Sequence, residues 1–179
     1  VYKRQIRAGR ARPGIQALIQ ISGLDHRVLT TTQLAFNVAP RLNAAGRLED
    51  MSLGVACLLA TPEAAQASAA RLDELNRTRR EIEQSMQAQA AELLLAVGRA
   101  PDSARFGISL FDSRWHEGVV GILASRVRAQ CARPVFAFAE ASNGLLKGSG
   151  RSIEGLQLRD LLAEMDAARQ GLLQKFGGH

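Results

Sequence analysis

The chain is short of the residues from which many sites are built. It has only two cysteines, Cys57 and Cys131, both in apolar surroundings and with no CxxC pair. A disulfide framework or a thiolate zinc site is therefore not expected. A reduced, cytoplasmic protein with inert thiols is the simplest reading. Tryptophan occurs once, at Trp115. No HxH, HExxH or DxD is present, so neither a metal cluster nor a hydrolytic constellation is legible. No GxxxxGK[ST] loop occurs, so ATP is not implied. No apolar run approaches the roughly 20 residues that span a bilayer, and no membrane partner is expected. No signal-peptide pattern, internal repeat or low-complexity segment appears.

What the chain has is apolar bulk and positive charge. Its 179 residues are 46% hydrophobic, enough for a core. The net charge is +6, and arginine far outnumbers lysine. The guanidinium fork suits bidentate phosphate contacts, so the balance leans toward a nucleic-acid partner. Both ends look cut. Val1–Gln5 reads as a non-native scar and is excluded from the fold argument, and "QKFGGH" stops in the middle of a motif. An internal fragment is expected.

Helical periodicity comes first. Ile15, Leu18, Ile19 and Ile21 recur at helical spacing after a break at Arg12-Pro13-Gly14, and Gly23 ends the run. Thr30–Thr32 offer N-caps for a short helix through Val38, which Pro40 should stop. Asn43, Gly46 and Arg47 then fall in a small-residue loop, and residues 51–60 form a short apolar helix. Thr61-Pro62-Glu63 opens a long amphipathic helix that runs to Val97, before Gly98 and Pro101 end it. A helix of that length commonly joins two lobes. After residue 102 strands and helices alternate: strand 105–112, helix 118–130, strand 133–140, a further strand from 144, helix 156–165. That pattern is an α/β layer. The chain divides near residue 100.

Four stretches can hold phosphate. "GLLKGSGRSIEG" puts Lys147, Ser149, Arg151 and Ser152 among glycines that expose backbone N–H groups, as an oxyanion grip would. The bland alternative is a hairpin turn with solvated charges. "SRWHEGVVGILASR" places His116 and Trp115 before a helix with Gly118 and Gly121 in its first turn. His116 could donate to phosphate and Trp115 could stack on a base, or both could simply cap and pack. "PRLNAAGRLED" carries Arg41, Asn43 and Arg47 beside small residues, or is only a helix corner. "FGGH" brings Gly177, Gly178 and His179 into a run that suits close approach to a ligand. Asp25-His26 has no carboxylate cluster and is assigned no metal. The carboxylates of the long helix, Asp73, Glu74, Glu81 and Glu83, read as a solvated, salt-bridged face.

In order and spacing, "PRLNAAGRLEDMSLGVACLLA", "LDELNRTRREIEQ", "WHEGVVGILASR", "KGSGRSIEG" and "FGGH" resemble the RecJ family of single-strand-specific 5′→3′ DNA exonucleases, within the DHH phosphoesterase superfamily. The resemblance runs from about Ile6 to His179. It implies the end of a DHH domain over 6–60, a connector helix over 61–100 and an α/β DHHA1 domain over 101–179, truncated at its C-terminus. It further implies a metal-dependent phosphodiesterase of DNA repair and recombination, using Mn²⁺ or Mg²⁺ on ligands outside this stretch, so the fragment alone would be inactive. No catalytic residue or metal ligand is carried over. Arg47, Ser149, Arg151 and Ser152 match positions that grip the 5′-terminal phosphate or the backbone. His116 and Gly177–His179 match substrate-cleft motifs. Glu117 stands where the family often has proline. The implied substrate is single-stranded DNA with a 5′ end, and a single-strand-binding protein or helicase would be the partner. A DHH-type oligoribonuclease or small phosphoesterase, and a stand-alone nucleic-acid-binding module, remain open alternatives.

Overall fold

The computed structural model describes Tyr2–Gly98 and Phe106–Gly178. The chain forms two compact units that divide between Ile82 and Glu83, inside the long helix rather than near residue 100.

The first unit is helical: α1 (Tyr2–Arg7), α2 (Pro13–Ile21), α3 (Thr31–Gln33), α4 (Ala39–Leu48), α5 (Ser52–Leu59) and the start of α6 (Pro62–Gly98). Pro13 opens α2 because its missing N–H is an orphan there anyway. Gly14 sits in that helix for contact, not for a turn. A Cβ on it would stand 1.8 Å from the Cys57 carbonyl oxygen, so only glycine lets α2 meet α5 backbone to backbone. Thr30 and Gln33 form a reciprocal capping box for α3. Leu18, Leu29 and Leu72 are fully enclosed in the core, each burial contributing about 1.5–3 kcal/mol. Burial pushes the Cys57 thiol up, away from the reactive thiolate.

Pro40 does not stop the chain, which corrects the expected loop at 40–50. A π-helical turn, Leu34–Val38, precedes α4, and Pro40 falls in its first turn. The widened turn removes the ordinary i→i−4 bond that proline can neither make nor clear. Arg41, Asn43 and Arg47 are therefore helical.

The second unit contains the rest of α6, β1 (Ile108–Phe111), α7 (Val120–Cys131), β2 (Val135–Glu140), β3 (Leu146–Arg151) and α8 (Leu158–Ala168). β1 and β2 are parallel, joined through α7; β2 and β3 are an antiparallel hairpin, giving the order β1-β2-β3. The fold class is α/β, as the alternation predicts. Val135, Ala137 and Ala139 alternate inward under α7 with Leu110, Leu123 and Val127. Trp115 is buried there too, and its indole N–H donates to Gln89 of α6 at 2.9 Å. It is a core residue and offers no face for stacking. No described helix is long and apolar enough to cross a membrane.

Candidate nucleic-acid interface

The glycine-rich stretch from Lys147 is strand, as expected, and its alternation sorts the residues. Gly148 and Gly150 lie opposite Phe138 and Phe136. A Cβ on Gly148 would come within 2.4 Å of the Phe138 ring, and one on Gly150 within 2.6 Å of Phe136. The two phenyl rings stack with centroids 6.2 Å apart. The glycines are seats for these rings, a cross-strand device, and not openings for an oxyanion.

Lys147, Ser149 and Arg151 point to the other face, toward α7. Their β2 partners there are Ala139, Ala137 and Val135. Arg151 Nε donates to Ser125 Oγ at 2.7 Å, and Nη1 donates to Ser149 Oγ at 3.0 Å and to the Gly150 carbonyl at 2.7 Å. Gly121 completes the fit: a Cβ on it would lie 3.1 Å from both Arg151 Nη2 and Ser149 Oγ. Lys147 Nζ pairs with Glu117 at 3.0 Å. His116 Nδ1 accepts the Gly118 N–H at 3.0 Å, which leaves Nε2 as the donor of the neutral ring. The first turns of α7 thus meet the Arg151 guanidinium and the hydroxyls of Ser125 and Ser149, with the Lys147–Glu117 ion pair alongside. The helix dipole adds positive potential at that end. The arrangement suits a phosphate or carboxylate.

Asp112, at the end of β1, fixes the approach to this helix. Its carboxylate accepts from the Arg114 side chain and from the Arg114 backbone N–H, which hold it at about 2. Ser152 is half-buried and donates to the Leu156 carbonyl in a local turn. Gly177 and Gly178 are exposed and carry no close contact. His179 lies outside the described residues.

In the first unit, Asn43 and Arg47 lie one turn apart on α4, and both are exposed. Arg41 is mostly enclosed: its Nε donates to Asp73 at 2.8 Å and Nη1 to the Asn37 carbonyl at 2.5 Å. Asp73 is therefore an internal partner, only 18% exposed, and not part of a solvated face. Glu83 is buried as well, paired with Arg126 at 2.6 Å. Sequence inspection missed Ser125; its one signal is a hydroxyl one helical turn after Gly121.

Among the described residues no three His, Cys, Asp or Glu side chains are grouped to hold a metal ion. The donor set of the β3–α7 cluster, a guanidinium, an ammonium and hydroxyls, does not fit a divalent cation.

Residues 103–179 match the DHHA1 domain. Nearly the whole chain is similar to one kind of protein. It is 52% identical over 176 residues to the single-stranded-DNA-specific exonuclease RecJ of Salmonella typhimurium, covering 98% of this chain and 30% of that protein. Identity to RecJ of Escherichia coli is 51% over the same length. The crystal structure of RecJ from Thermus thermophilus in complex with Mg²⁺ is similar over 97% of this chain and 25% of that one, with a TM-score of 0.78 and 28% identity. The chain spans about 30% of the length of the curated relatives it matches.

Proposed function

We propose that this chain is the substrate-holding part of a RecJ-type exonuclease that degrades single-stranded DNA from a 5′ end, in DNA repair and recombination. The observation that carries the proposal is the convergence of Ser149 and Arg151 of β3 on Gly121 at the start of α7, beside the Lys147–Glu117 ion pair. These groups hold a phosphate through charge and hydrogen bonds. Arg47 and Asn43 of α4 contribute backbone contacts of their own within the first unit, as do Ser152, Gly177 and Gly178 within the second. None of these contacts reads a base, which suits an enzyme indifferent to sequence. Bond cleavage depends on Mg²⁺ or Mn²⁺, the ions in the similar RecJ structures, on ligands other than the described residues.

The test is Arg151→Ala in the complete protein, with a 5′-phosphorylated single-stranded oligonucleotide titrated over a salt series. Affinity should fall about tenfold, and the slope of log K against log salt should flatten by roughly 0.7, one phosphate contact on a single strand. Unchanged affinity across the series would remove Arg151 from the interface.

A further inference from the structure

We infer that Ser125 is a positioning residue: it fixes the Arg151 guanidinium in the orientation that receives a phosphate. The inference rests on the proposed phosphate grip and adds a residue that the grip itself does not include.

The hydroxyl of Ser125 has a defined polarity. Its proton is engaged by the Gly121 carbonyl one turn earlier, at 3.0 Å. That leaves the oxygen to act as an acceptor, and Arg151 Nε donates to it at 2.7 Å. Ser149 Oγ and the Gly150 carbonyl hold Nη1. Groups on two elements, α7 and β3, thereby restrain a side chain that would otherwise sample many rotamers. Nη2 is left beside Gly121, near the first turn of α7.

The acceptors are also chemically selective. Arg27, Arg41, Arg71, Arg114 and Arg126 are each held by a carboxylate, which cancels their charge. Arg151 is held by two hydroxyls and a carbonyl, all neutral. Its geometry is fixed while its charge is kept for an anion. A residue serving the fold alone gains nothing from that distinction.

The experiment is a double-mutant cycle in the complete protein, with equilibrium binding of a 5′-phosphorylated single-stranded oligonucleotide at one salt concentration. Ser125→Ala should weaken binding about tenfold, as losing a hydrogen bond to a charged group does. Ser125→Thr keeps the hydroxyl and should restore affinity to within about twofold. Ser125→Ala should add nothing in an Arg151→Ala background. Full additivity of the two substitutions would overturn the inference, because Ser125 would then act independently of Arg151. If Ser125→Ala binds normally while Arg151→Ala binds weakly, the positioning role fails and the phosphate grip survives. If Arg151→Ala also binds normally, both fail. Thermal melting of each variant accompanies the binding data, and Ser125→Thr supplies the folded reference.

Discussion

At the scale of single residues, Asp112 offers a sharp electrostatic test. Arg114 holds its carboxyl at about 2, below the ordinary 3.8. A group with a depressed folded value stabilises the native state above its unfolded pKa, and that stability is lost as the pH falls through the folded value. The window is therefore about pH 4 down to about pH 2. Carboxyl-detected NMR should find the Asp112 midpoint near 2, and Arg114→Ala, which removes the side-chain donors but keeps the backbone N–H, should raise it part of the way toward the ordinary 3.8. An unmoved midpoint in that variant would mean another group holds the carboxylate. Residue chemistry was the most legible layer of the sequence, but partners were not. Lys147, Ser149 and Arg151 lie on one face because strand alternation puts them there, a placement that the spacing of the three residues carries. Gly148 and Gly150 were misread because the rings that require them lie on β2, ten or more positions away in the chain. Trp115 likewise has its partner on α6. A one-dimensional pattern lists what a side chain can do; cross-chain packing decides which option is used.

At the scale of elements, periodicity located the strands and helices within a few residues, because each buries one face and the pattern records it. The segment around Pro40 failed for a physical reason. A proline normally ends a helix, but the π turn before it absorbs the missing bond, and no local residue announces that turn. Glycine within α7 leads to a prediction with two opposite signs. Gly121→Ala replaces the poorer helix former with the better one, which favours the helix by up to about 1 kcal/mol. Its Cβ, however, would crowd Arg151 Nη2 and Ser149 Oγ, each 3.1 Å away. The variant should melt no lower than the parent while binding 5′-phosphorylated single-stranded DNA several-fold more weakly. Undiminished binding would show that the α7–β3 seam is not where phosphate sits; a lower melting temperature would show that the clash is relieved at the expense of the fold.

At the scale of the whole molecule, charge and site make different predictions, and they can be separated. A net charge of +6 attracts any polyanion, wherever the cations lie. A built site concentrates the effect in a few groups. Arg128 and Arg133 are exposed, and Arg128 lies in the last turn of α7, about 10 Å along the helix axis from Gly121. Replacing both with glutamine removes two charges, whereas Arg151→Ala removes one. If general attraction governs binding, the double variant should be the weaker of the two. With a phosphate held at the start of α7, the order reverses: the double variant should lose about twofold in affinity at moderate salt and Arg151→Ala about tenfold. The distant arginines act through a screened field that fades over roughly 8 Å at physiological ionic strength, while Arg151 makes direct charge-assisted hydrogen bonds. Filter binding or fluorescence anisotropy of all three proteins at one salt concentration decides the order. Affinities that track net charge alone would reduce the cluster on β3 to one more basic patch.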